Sequence, residues 1–154
     1  MSPQNSSNLP YASPILHISY WEFFQQYYTP MLQEMDVILK SMDDDESISI
    51  SEAAKALALT EETVKEIMTR EGLQNINQKC ILQIAMYGNS PLCRLLQRQC
   101  LCGALEKYGP EHIAYIYGLQ DEHVAEAYRV NGYTEVPAQT LQNILDKIYV
   151  FIMQ

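Results

Sequence analysis

The chain has 154 residues, 47% of them apolar, and a formal net charge of −9 from 19 acidic and 10 basic side chains, a length that suits one domain or two small, closely packed ones with no need of disulfide or metal staples. Its acidic balance works against sequence-independent nucleic-acid binding, which draws its free energy from cations displacing counterions at phosphates, although a local basic face stays open. No N-terminal apolar run follows a basic segment and no stretch of about 18 apolar residues occurs, so the signatures of secretion and of membrane spanning are missing and the expected location is cytoplasmic.

Eleven Tyr, only six Gly and few runs of β-branched residues favour helices packed on helices. Residues 1–13, rich in Ser, Asn and Pro, hold too little periodic apolar content to repay ordering and read as a mobile tail. Residues 14–42 read as an aromatic helical hairpin. Ser13-Pro14 supplies a cap and a first-turn proline, and Leu16, Tyr20, Phe23, Phe24 and Tyr27 follow at helical spacing. Thr29-Pro30 repeats the start signal, and Met31, Met35, Ile38 and Met42 form the stripe of a second helix. Asp43-Asp44-Asp45-Glu46 then reads as a solvated loop. With Trp21 and Tyr28 added, the aromatic side chains surround the first helix. It is either sandwiched inside the fold or offers a face to a partner or to a second copy as a homodimer.

Residues 47–88 form a first unit. Ser49 and Glu52 make a capping box, Thr60 caps a second helix whose first turn carries Glu61 and Glu62, and Gly72 suits its C-terminal end. Ser90-Pro91 opens a central connecting helix over residues 91–108, with Leu92, Leu95, Leu96, Cys100 and Leu105 apolar on more than one side. Gly109-Pro110 ends it and begins a second unit, residues 109–154. The units match at a constant offset of sixty residues: Ala54 with Ala114, Ala58 with Gly118, Leu59 with Leu119, Val64 with Val124, Gly72 with Gly132. The register continues through Ile76 with Val136, Ile81 with Leu141 and Ile84 with Ile144. Each unit is therefore a helix pair plus a third, longer helix. The fold class is all-α, a helical bundle with two repeated three-helix units joined by a central helix.

The segments ISISEAAKALALTEETVKEIM, from Ile48, and PEHIAYIYGLQDEHVAEAY, from Pro110, resemble the helix-turn-helix of bacterial repressors and sigma factors. Ala54 and Ala114 are small where two helices cross, Ala58 and Gly118 stand at the corner, and Leu59 and Leu119 plug the core. Val64, Ile67, Val124 and Ala127 anchor the second helices. In that family the second helix enters the major groove. The resemblance implies Thr60, Glu61, Thr63, Lys65, Glu66 and Thr69 as partner-facing residues of the first unit. In the second it implies Gln120, Asp121, His123, Ala125, Glu126 and Arg129. Both sets are net acidic where phosphates or base edges would lie. Arg94 and Arg98, a helical turn apart, are the further candidates for a basic patch with Lys107, Arg129 and Lys147.

These readings point to a non-enzymatic regulatory protein acting in transcription or another nucleic-acid transaction, its partner duplex DNA or a nucleic-acid-associated protein. The alternative is an acidic adaptor or inhibitor that meets a basic protein surface in place of phosphate. Cys80, Cys93, Cys100 and Cys102 lack the paired spacing of a zinc knuckle and read as reduced core thiols. His17, His112 and His123 fall in separate segments. No phosphate-binding loop, nucleophile elbow, zinc-protease helix or dinucleotide turn is present, so no catalytic residue, cofactor or metal is assigned.

Overall fold

A computed structural model describes residues 15–43 and 46–153. The tail expected over residues 1–13, the Ser13-Pro14 start signal, Asp44 and Asp45 lie outside the described residues. The described chain is mostly helical, with eight α-helices and one two-stranded ribbon. None of these helices is long and apolar enough to cross a membrane.

The expected start of the first helix is replaced by a strand, β1 (Ile15–Ser19). Its backbone pairs antiparallel with β2 (Tyr149–Met153), from Ile15 opposite Met153 to Ser19 opposite Tyr149. The apolar spacing of residues 15–19 fits either period, and a partner distant in sequence decides between them. Helix α1 (Tyr20–Lys40) starts where Ser19 takes over as cap. Its Oγ accepts from the Glu22 N–H at 3.1 Å and donates to Asp146 at 3.0 Å.

The expected hairpin within residues 14–42 does not form. Helix α1 runs unbroken for 21 residues with Pro30 inside it. Proline in a helix interior forfeits one hydrogen bond and costs about 3 kcal/mol, and here packing on both sides of Pro30 outweighs the local signal. Tyr20, Phe23 and Phe24 enter one apolar core, while Met35, Ile38 and Leu39 enter another. Of the aromatic set, Tyr20 and Tyr28 are buried, Trp21, Phe23 and Phe24 half-buried, and Tyr27 exposed, so most of it is sandwiched inside the fold.

The repeat is structural. Helix α2 (Ile50–Leu57) is followed by α3 (Glu61–Glu71) and α4 (Gln78–Ala85). Sixty residues on, α6 (Pro110–Tyr117) is followed by α7 (Asp121–Val130), then by a 3-10 turn (Ala138–Thr140) running into α8 (Leu141–Leu145). Both corners use the same backbone device. Ala58 (φ 56°) and Gly118 (φ 66°) adopt the left-handed conformation. That turn lets Leu59 donate to the Ala54 carbonyl and Leu119 to the Ala114 carbonyl, each at 2.9 Å. Further along, Ile48 bridges Ile76 as Tyr108 bridges Val136.

Two expected lengths are wrong. The third helix of each unit is not longer: α4 has eight residues and α8 only five. Asn77 caps α4 late, and Pro137 leads into the 3-10 turn ahead of α8. The central helix α5 (Pro91–Cys102) stops six residues before Tyr108 because Gly103 turns the backbone to φ 78°. Nor is α5 a mere connector. It packs on α6 as α1 packs on α2, so each repeat contains four helices.

One core joins Leu57, Val64, Ile81 and Ile84 to the C-terminal half of α1. The other joins Ile113, Val124, Tyr128 and Ile144 to its N-terminal half. Tyr28, Leu95 and Ile116 meet between them. Ala54 and Ala114 are 5% and 4% exposed, respectively, where α2 crosses α3 and α6 crosses α7. Leucine at either position will force the helices apart and cost about 1–3 kcal/mol, read as a lowered urea midpoint. The corners give a reciprocal pair. Ala58→Gly will stabilise by about 1 kcal/mol and Gly118→Ala will destabilise by about the same, because only the non-glycine side chain is strained at positive φ. Thermal melts of the two variants should move in opposite directions.

Candidate partner-binding surface

Helices α3 and α7 each bury one stripe, Val64 with Ile67 and Val124 with Ala127, leaving the remaining faces to solvent. Glu61, Lys65, Glu66 and Thr69 are exposed on α3, and Thr63 is half-exposed. Gln120, Asp121, His123, Ala125, Glu126 and Arg129 are exposed on α7. The residues chosen from sequence thus fall together on two surfaces, one per repeat. Thr60 and Thr63 are partly engaged with each other. The Thr60 Oγ1 accepts from the Thr63 N–H at 3.1 Å and donates to the Thr63 Oγ1 at 2.8 Å. Glu62, Lys65, Glu66, Thr69 and Arg70 share one open face of α3.

The electrostatics of both surfaces are acidic. On α7 the only cation, Arg129, is held by Glu126 through Nε to Oε1 at 2.9 Å, and this pairing pulls the Glu126 carboxyl below its ordinary range. Asp121 and Glu122 remain at the positive end of the helix dipole. On α3, Arg70 lies over the Tyr87 ring, 5.1 Å from its centroid, and Lys65 has no ion-pair partner among the described residues.

Arg98 departs most from its sequence reading. It is half-buried, donates from Nε to the Ile116 carbonyl at 2.8 Å, and places its charge near the Tyr28 phenol. It holds the junction of α1, α5 and α6 and is removed from the basic patch expected with Arg94, which is exposed. Around it, burial pushes the phenols of Tyr20, Tyr28 and Tyr117 up, while the guanidinium partly offsets the effect at Tyr20 and Tyr28.

His112 also has a structural job, one that the sequence reading left unassigned. It stands sixty residues after Glu52 and does the same work, its Nδ1 accepting from the Gly109 N–H at 2.9 Å as Glu52 accepts from the Ser49 N–H. The four cysteines are free, and they do not all belong to the core as expected. Cys93 is buried, Cys80 and Cys102 are half-buried, and Cys100 is exposed because it falls on the outer side of α5. Among the described residues no three His, Cys, Asp or Glu side chains gather as a metal site.

Sequence reasoning missed the surface beside α7. There Val130 and Tyr149, 65% and 58% exposed, flank a cleft of about 390 Å³ reaching Ala127, Lys147 and Ile148. Tyr149 belongs to a strand that local patterning did not reveal. No known family, curated protein or solved structure matched the chain in the comparisons made.

The tyrosines make alkaline stability a test of this packing. Tyr128 is buried and donates to the Tyr108 carbonyl at 2.8 Å, and burial, helped by Glu111 and Glu135, raises its phenol from 10.0 to about 12. A raised folded-state pKa means that the unfolded chain loses the proton first. The associated stability is complete below pH 10.0 and drains away as pH rises to about 12. Urea midpoints recorded across that interval, with tyrosinate absorbance, should fall for the wild type and fall less for Tyr128→Phe.

Proposed function

We propose that the chain is a non-enzymatic regulatory protein with tandem helix-turn-helix units, acting in a nucleic-acid transaction through a basic protein partner that α3 and α7 engage. The observation that carries this reading is the disposition of cations. Arg98 is spent inside the fold and Arg129 on Glu126, while Glu61, Glu62, Glu66, Asp121 and Glu122 stay exposed at the two second helices. Carboxylates so placed are complementary to a surface built for phosphate, and such complementarity acts chiefly on association rate and choice of partner.

Direct contact with duplex DNA is the second reading, favoured by the left-handed corners that leave α3 and α7 projecting polar side chains, among them Thr69 and Lys65. Phosphate contacts would then have to come from Lys65, Arg94 and few others.

One charge-neutralised variant separates the two. Glu61→Gln, Glu62→Gln, Asp121→Asn and Glu122→Gln together relieve repulsion from phosphate, so polarisation titrations on mixed duplex at low salt should show binding strengthened by the change if DNA is the partner. On the proposed reading the wild type shows no duplex binding at low salt. Its association with a DNA-binding protein of basic groove, tested by interferometry against a panel of such proteins, slows about tenfold in the variant. Wild-type binding to duplex that weakens steeply with salt would replace the proposal with the second reading.

A further inference from the structure

Sixty-residue register places Val130 and Lys147 of the second repeat where the first has Arg70 and Tyr87, and Ala127 where it has Ile67. In the first repeat the Arg70 guanidinium covers the Tyr87 ring, closing the corner between α3 and the chain leaving α4. In the second, neither partner of that stack is present and the residue on the buried stripe is smaller. The corner is open as the cleft of about 390 Å³ beside α7. Its floor is apolar, from Ala127, Val130, Ile148 and Tyr149, and its polar edge is set by Lys147 and His123. Glu126 also borders it, but that carboxylate is neutralised by Arg129.

We propose that this cleft binds a small carboxylate carrying a single ring or short alkyl chain, with the apolar part against Val130 and Ile148 and the carboxylate on the Lys147 ammonium. The volume lies at the small end of ligand sites, which are mostly apolar with a few polar groups to fix orientation. The sign of the ligand follows from the local charges: Lys147 has no ion-pair partner among the described residues, and the neighbouring carboxylate already has its cation. A charged partner also makes the polar contact the stronger kind. The site shares His123 and Glu126 with the partner-facing side of α7, while Ala127, Ile148 and Tyr149 belong to it alone.

Phenylacetate is a suitable probe, and phenylacetamide is its uncharged match. Titrated into the full chain and followed by amide chemical shifts, phenylacetate should give saturable changes centred on Ala127, Val130, Ile148 and Tyr149. The amide, or Lys147→Met with phenylacetate, should bind about tenfold more weakly. Val130→Arg with Lys147→Tyr rebuilds the closed corner of the first repeat at exposed positions, and it should abolish the changes without lowering the melting temperature. Arg70→Val with Tyr87→Lys should open a weaker second site. Absence of changes at these four residues in the wild type, equal binding of acid and amide, or undiminished binding by the rebuilt corner would each overturn the proposal. None of these results depends on a duplex or a protein partner, so they leave the functional reading above to its own test.

Discussion

A single helix is shared by two cores, and the arrangement of everything else follows from that sharing. Each repeat buries a small set of residues on short helices, of five to twelve residues apart from α1, lengths that are marginal in isolation and depend on tertiary packing. Helix α1 supplies that packing to both. At about 1.5 Å per residue it is about 30 Å long, enough to lay Tyr20, Phe23 and Phe24 into one core and Met35, Ile38 and Leu39 into the other. The break in sequence chemistry at Thr29-Pro30 falls near the handover, beside Tyr28, where Leu95 and Ile116 also arrive. Arg98 holds the same place from the other side by bonding the Ile116 carbonyl near the end of α6, its charge close to the Tyr28 phenol. A proline-interrupted signal is overridden because a bent or broken α1 would uncouple both cores.

Within each repeat, what persists is what backbone geometry demands, and what varies is what solvent sees. The left-handed corner, the hydrogen bond back across it and the small crossing residue recur in both copies. So does the cap at the third helical position of the first helix, although a carboxylate does the work in one and an imidazole in the other. The exposed faces of α3 and α7 keep an acidic character but share few identities. At the corner beside the buried stripe the two copies differ in kind, one stacked shut and one open. A repeat whose scaffold is retained and whose surfaces diverge presents two different surfaces from one architecture.

Most of the helical plan was legible because caps and corners are local chemistry. Ser49 with Glu52, Thr60, Ser90-Pro91 and the Ala58 and Gly118 corners each act within about four residues, and all were readable where they stand. What escaped depended on distant partners. The ribbon needs Tyr149–Met153 to make Ile15–Ser19 a strand, and Pro30 needs two cores to keep it in a helix. Arg98 needs the carbonyl of Ile116, eighteen residues on, to turn inward. The candidate surface divides along the same line. Exposed positions on α3 and α7 followed from helical periodicity, whereas the cleft beside Val130 combines a helix with a chain segment whose course no local pattern announced.

The long reach of α1 also has a consequence in time. The chain is made from its N-terminus, and domains collapse as their parts emerge. The C-terminal half of α1 finds its partners within the next few dozen residues, and the first core can close early. The aromatic half waits. Tyr20 and Phe24 pack with Tyr117, and the Tyr20 N–H bonds the Ile148 carbonyl, so their partners appear only after the whole of the first repeat has been made. During that interval a helix ringed with aromatic side chains is uncovered beside an already folded unit. Such a surface is the kind that chaperones bind and that nascent chains on neighbouring ribosomes stick to. Efficient production of this protein should therefore be governed less by its final stability than by how long that half of α1 is left without its second core.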